Sequence, residues 1–340
     1  MLQTRLTREY GLEVPFISAG MAFVGMPALV AAVSNAGGMG TLGAALVPPD
    51  GLRGLIRMIR SMTTRPFAIS FITQFTEAAH IDVCLEEQVP VVSFFWNNPP
   101  EAFISRLRAA GVKVWMQVSS LKEAREAVRC GVDAVIVQGK EAGGHNRSTG
   151  TTLTLVPAVV DAIAPVPVIA AGGIADGRGV VAALSLGAEA VWVGTRLVAS
   201  QEAYAHDEYK QSIVAATASD TVNTTIFGPE WPHQPMRVIR NRVVNVWSKR
   251  ESDVVYTPEA DESIGQTYLG GQPVALPKFS AILPTPDTTG DFEEMCLPAG
   301  EGAGLVKEIK PAGEIVREMM AEAQHIIEHW PGGARDIPRV

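Results

Sequence analysis

The chain is poor in cysteine, with Cys84, Cys130 and Cys296 the only three in 340 residues. The count is odd, the spacing is wide and no C-x-x-C occurs, which argues against a disulfide framework or structural zinc and fits a reducing compartment. No uninterrupted apolar run reaches the roughly 20 residues needed to span a bilayer, and residues 1–10 lack the apolar run of a signal peptide. Basic stripes are missing too. The net charge is -8, so neither nucleic acid nor a membrane is expected as partner. The G-x-G-x-x-G fingerprint is absent near the N-terminus, and Asp176-Gly177-Arg178-Gly179 does not supply it, so no Rossmann nucleotide site is indicated. His325 and His329 stand four apart with no third ligand nearby; a solvated helix face is expected there, and no metal. These absences leave a cytoplasmic enzyme acting on a small molecule. The oligomeric state stays open, a homodimer being one option.

What is present is apolar residue in quantity: 47% hydrophobic against 19% charged, enough for a large core. Short β-branched runs fall at 16–19, 39–42, 67–71, 91–95, 112–116, 134–137, 166–170 and 190–193. Helical segments lie between them at 27–35, 51–61, 77–87, 100–110, 121–129, 153–163 and 177–186. The runs are apolar on both faces, as buried parallel strands are, and glycine or proline often separates a helix from the next strand, as at Ala110-Gly111 and Leu186-Gly187. Eight alternations predict a closed (β/α)8 TIM barrel, with a doubly wound open sheet as the structural alternative. After about Ser200 the rhythm breaks. Helices are expected at 203–216 and 236–250, a proline-rich stretch runs from Gly228 to Pro235, and a last amphipathic helix covers 312–330. The organisation expected is a barrel of residues 1–200 and 305–340 carrying an inserted, smaller, mostly α-helical lid at 201–304.

Chemistry concentrates where strands end. Gln138-Gly139-Lys140-Glu141-Ala142-Gly143-Gly144-His145 follows the sixth run, Ala171-Gly172-Gly173 the seventh and Gly194-Thr195 the eighth. In a barrel, ligands sit at the carboxyl ends of strands and phosphates often sit after strands seven and eight. Backbone N–H groups at Gly172, Gly173 and Gly194 can cradle a phosphate, and Thr195 adds a hydroxyl; tight turns with no ligand are the plainer reading. His145 points over the barrel mouth on this plan, where neutral imidazole can take a proton from an acidic carbon or polarise a negative oxygen. The plainer reading is a loop histidine capping a carbonyl. Gly20-Met21-Ala22 follows the first run, where small residues let a ring system lie against backbone. Ser70 and Thr73 flank the end of the third, and Gln117 closes the fifth; its amide either donates to a cofactor carbonyl or pairs with backbone. Phe95, Trp96, Trp231 and Met21 are candidates for an apolar pocket, or simply for core.

These motifs, together with Ala36-Gly37-Gly38-Met39-Gly40 and Val193-Gly194-Thr195-Arg196, resemble the nitronate monooxygenase family, formerly the 2-nitropropane dioxygenases, over about residues 1–215. The resemblance implies FMN as cofactor, with its phosphate at Gly172, Gly173, Gly194 and Thr195. It implies Gly20, Met21 and Ala22 near the isoalloxazine and Gln117 near the pyrimidine edge, with Ser70, Gln138, Gly143, Gly144 and Ala171 completing the cofactor site. It implies that His145 is catalytic and that nitronates or nitroalkanes react with dioxygen to give carbonyl compounds and nitrite. Some relatives carry Lys where Gln117 stands, and a cation favours reduced anionic flavin more strongly than an amide; relatives often show Val-Asn where this chain has Ile69-Ser70. The same motifs, and the segment from Ala205 to Lys210, also resemble FMN-dependent enoyl-acyl-carrier-protein reductases, related in turn to NADH:quinone reductases. An NAD(P)H-dependent reductase of enoyl thioesters or quinones is therefore the alternative, and a flavin- or phosphate-binding protein without catalysis is a third reading.

Overall fold

A computed structural model describes residues 2–228, 231–254, 263–269 and 271–329. Pro229 and Glu230 of the proline-rich stretch, and Trp330 at the expected end of the last helix, lie outside the described residues.

Eight parallel strands are present: β1 (Phe16–Ser18), β2 (Gly40–Gly43), β3 (Phe67–Ile72), β4 (Val91–Phe95), β5 (Lys113–Val118), β6 (Ala134–Gln138), β7 (Val168–Ala171) and β8 (Ala190–Val193). From β2 onward each pairs with the next, and β8 pairs with β1. A parallel bridge between Ile17 and Met39 closes the circle, with Ser18 N donating to Met39 O at 3.0 Å and Met39 N to Phe16 O at 2.9 Å. The expected barrel is thus present. Along β6 the side chains divide: Ala134 and Ile136 pack inside with Trp115, Ile169 and Trp192, while Val135 and Val137 face the helices outside. Both faces are dry, which is why the hydropathy of these runs shows no alternation.

Sequence signals mark the helix starts. Pro27 and Pro49 open theirs, Ser120 Oγ accepts from Glu123 N, and the Asp176 carboxylate accepts from Gly179 N. The helix Ala312–Glu328 packs against Gly177–Ser185, where Gly177 N donates to Glu322 at 2.7 Å. The structure adds a helix the sequence reading lacked, Arg5–Tyr10. It stoppers the barrel at the end opposite the strand carboxyl termini. Leu6 is fully buried there, and Tyr10 accepts a hydrogen bond from Trp115 Nε1 at 2.8 Å.

Between Ser200 and Lys310, which form a parallel bridge of their own, strand appears where helix was expected. The helix predicted at 203–216 is Asp207–Ala215. The helix predicted at 236–250 divides into a strand, Met236–Ile239, and a short helix, Arg242–Trp247. The strand pairs antiparallel with Thr221–Thr224. Asn241 makes the break: its side chain accepts from Val244 N and donates to Met295 O at 2.8 Å, capping a helix that starts only after it. A second antiparallel sheet joins Ser263–Leu269, Gln272–Pro277 and Thr289–Gly290. This segment is mixed rather than mostly helical, because β-branched pairs such as those of Thr-Val-Asn-Thr against Met-Arg-Val-Ile favour extended backbone. It carries a core of its own around Phe227, Met236, Val244 and Phe279.

Candidate active site

At the carboxyl end of the barrel the strand-end turns surround a cavity of about 230 Å3. Most of the sequence-derived candidates reach it: Gly20, Met21, Ala22, Ser70, Gln117, Gln138, Gly143, Gly144, His145, Ala171, Gly172, Gly173, Gly194 and Thr195 line its wall, as do Phe95 and Trp231, whereas Trp96 lies behind it against His145 and Trp231. Thr73 does not line it either; its hydroxyl donates to Asn97 O at 3.0 Å.

Close backbone packing shapes the wall. A Cβ on Gly20 would fall 2.2 Å from Ser70 Cβ, and one on Gly43 would fall 2.2 Å from Met21 O. The turn after β1 therefore lies flat on the ends of β2 and β3, and side chains at those two positions would lift it away. Asn146, almost fully buried, fixes the turn after β6: its Nδ2 donates to Gly139 O and Ala142 O at 3.0 Å each, and its Oδ1 accepts from Ser148 N at 2.8 Å. Gly172 and Gly173 hold φ of 109° and 73°, the left-handed side that glycine adopts without strain. Among the described residues the N–H groups of Gly173 and Thr195 have no hydrogen-bond partner. Thr195 Oγ1 accepts from Gly300 N at 2.9 Å, which leaves the hydroxyl proton to be donated elsewhere.

Gly300 and Gly302 also line the cavity and were missed from sequence. A Cβ on Gly300 would come 2.5 Å from Glu141 O, and one on Gly302 would come 3.3 Å from Ala175 Cβ. The signal was there in Gly300-Glu301-Gly302-Ala303-Gly304, but nothing local says that this turn meets two others more than 120 residues earlier.

His145 enters from a two-residue strand, Gly144–His145, paired with Arg237 and Met236. Gln138 Nε2 donates to the His145 carbonyl at 3.1 Å, so Gln138 Oε1 faces the other way and, like His145 Nε2, is buried without a partner. The His145 ring lies 4.6 Å from Trp231 and 5.8 Å from Trp96, centroid to centroid, and the two indoles touch at 4.8 Å. Burial in this apolar surround pushes the imidazole down to about 4, since the charged form loses its water. His145 is neutral at pH 7. Trp96 adopts φ of 68° and Phe23, on the cavity wall, 63°, backbone states that bulky residues hold only where surroundings enforce them.

No helix among the described residues is long and apolar enough to cross a membrane. His325 and His329 lie ring to ring at 4.1 Å, and among the described residues no group of three or more His, Cys, Asp or Glu is placed to hold a metal.

The sequence matches the family described as nitronate monooxygenase over residues 3–81 and 70–322. It is 34% identical to a probable nitronate monooxygenase of Staphylococcus aureus (strain MSSA476), across 96% of this chain and 99% of that protein. Among solved structures, FabK from Thermotoga maritima is 36% identical with a TM-score of 0.79, covering 96% of this chain and 98% of that one. A nitroalkane oxidase from Streptomyces ansochromogenes is 28% identical with a TM-score of 0.78, covering 95% and 99%. With strand-end turns that meet at one cavity and a family match spanning nearly the whole chain, this protein belongs to the nitronate monooxygenase family and is an oxidoreductase.

Proposed function

We propose that the cavity holds FMN and that the protein oxidises alkyl nitronates with dioxygen to carbonyl compounds and nitrite. One observation carries the reading: His145 Nε2 is buried, unpartnered and set in the wall that the glycine turns share. The residues fit the cofactor. Gly173 and Thr195 offer unpaired N–H groups, Thr195 adds a hydroxyl, and Gly172 and Gly194 keep the same turns open on the cavity wall, a setting suited to a phosphate. Gly20, Met21, Ala22, Gly143, Gly144 and Ala171 supply flat backbone for a ring system. Ser70 and Gln117 supply polar atoms, and the unpaired Oε1 of Gln138 can accept a hydrogen bond. In this reading residues 1–200 and 305–340 form the FMN-binding barrel and 201–304 the lid.

FMN, when bound, supplies an acceptor for an electron from the substrate and a route for electrons to dioxygen. The chain supplies the rest. Neutral His145 carries one lone pair and one N–H: the lone pair can remove the acidic proton beside a nitro group, and the N–H can hold a nitronate oxygen. A bound anion stabilises the imidazolium and raises proton affinity at the moment it is needed. Trp231 and Trp96 hold the ring and keep water from it.

The second reading is an NAD(P)H-dependent reductase of enoyl thioesters or quinones. It draws on Tyr209, from the segment that resembles the enoyl reductases: Tyr209 is buried, lines the cavity and donates to Pro298 O. Anaerobic mixing separates the two. The flavin should change spectrum with a nitronate and stay oxidised with NADH; rapid loss of flavin absorbance with NADH, and none with nitronates, would reverse the assignment.

A further inference from the structure

We infer that Arg147 is a positioning residue for His145: through Trp96 it fixes the imidazole that, on the reading just given, removes the substrate's proton. Among the described residues no hydrogen bond orients that ring; Gln138 reaches only the backbone carbonyl. A catalytic base usually takes its direction from a third group bonded to it. Here packing supplies the direction, from Trp96 edge-on at 5.8 Å and 78° and from Trp231 at 4.6 Å.

Trp96 does not hold its place unaided. Trp96 and Asn97, the two residues after β4, have φ of 68° and 72°. Asn visits that left-handed region readily and Trp does not. Three contacts enforce the turn. Thr73 Oγ1 donates to Asn97 O at 3.0 Å, Arg147 Nη1 donates to Asn97 Oδ1 at 3.2 Å, and the Arg147 guanidinium lies 4.7 Å over the Trp96 ring. Arg147 is itself anchored. Its Nε stands 3.2 Å from Glu123 Oε1, and Glu123 Oε2 accepts from Ser119 N at 2.8 Å. A chain of contacts thus runs from the helix Leu121–Arg129 to the imidazole, and Arg147 is its middle link. Arg147 does not line the cavity, so it acts without touching substrate.

Charge alone is the rival cause. On the elements packed about His145 the charged or titratable groups are Lys140 and Glu141 on its own turn, Arg147 with Glu123, Arg237 on the paired strand, and His233 beyond Trp231. The Glu141 carboxylate accepts from Thr152 N, and Arg237 faces Glu301 at 3.3 Å. Each of the two guanidiniums therefore has a carboxylate, and neither brings a bare charge to the ring.

The test is the titration of His145 in FMN-loaded protein, by NMR of isotope-labelled histidine assigned with His145→Asn. Wild type should give a midpoint of about 4. Arg147→Gln and Arg147→Lys should both raise it by about one pH unit, because a loosened indole admits water to the ring. Lys keeps the charge beside Glu123 but loses the flat fork that stacks and bonds at once. A midpoint raised by Gln and left alone by Lys would show charge acting through space and overturn the inference, as would no movement in either. Trp96→Leu should raise the midpoint too, and adding Arg147→Gln to it should move it no further; additive rises would show that Arg147 acts by another route and overturn the inference equally. Turnover separates the inference from its parent reading. In Arg147→Lys, kcat for neutral nitroethane should fall about tenfold with KM little changed, whereas preformed ethyl nitronate, already deprotonated, should lose far less. Equal losses would count against positioning of a base. No turnover of either compound by wild type would remove the nitronate reading and leave the NMR titration to decide whether Arg147 positions the ring.

Discussion

Replacing His145 by Asn should change how the protein responds to acid, not only how it reacts. The imidazole is held near 4 by burial, against 6.5 in an open chain. A depressed value in the folded state means that between these two pH values the unfolded chain binds a proton that the folded chain refuses. Stability therefore rises with pH through this window and is lost on acidification from 6.5 toward 4. Above 6.5 the group is neutral in both states and contributes no pH dependence. At 1.36 kcal/mol per pH unit the separation is worth about 3 kcal/mol. Denaturant unfolding at pH 7 and at pH 4, in wild type and His145→Asn, isolates this quantity, because other groups titrate alike in both proteins. Wild type should lose about 3 kcal/mol more than the variant over that interval. Parallel curves would show that the ring is hydrated in solution, and would undo the claim that the indoles keep water from it.

Three further outcomes follow from the same geometry. His145→Ala should retain FMN yet lose about 10²–10⁴-fold in nitronate turnover, read by oxygen uptake beside the flavin spectrum; undiminished turnover would take His145 out of the reaction. Gly43→Ala should purify with little or no flavin, since its Cβ would meet Met21 O at 2.2 Å and lift the turn after β1; normal flavin content would show that this turn does not hold the cofactor. Tyr10→Phe should cost about 1–3 kcal/mol in denaturant unfolding, by leaving the buried Trp115 N–H unpaired, with the flavin spectrum unchanged.

The barrel was legible because each strand is a short, largely apolar run entered through a glycine or proline, and that pattern survives without tertiary information. The turns at Gly172-Gly173 and Gly194-Thr195 were legible for the same reason. The N-terminal helix Arg5–Tyr10 was not. It is six residues long, its cap is a reciprocal pair of threonines, Thr4 and Thr7, rather than the familiar pairing with Glu, and its stability comes from Trp115 and Glu189 far along the chain. The strand Met236–Ile239 was hidden by an apolar run that fits either period; only Asn241, read as a cap, marks where extended backbone yields to helix. The role of Asn146 was equally silent, since its three hydrogen bonds form only once the loop has closed.

The bridge between Ser200 and Lys310 returns the chain to the point from which it departed, with Gln201 N donating to Lys310 O at 3.0 Å. Everything in between is, for the strand circle, a side branch tied at its neck. Descendants of this protein can lengthen, shorten or rewrite that branch without shifting the register of any of the eight staves. Chemical taste is thus free to drift in a lineage while the vessel that holds the chemistry stays fixed.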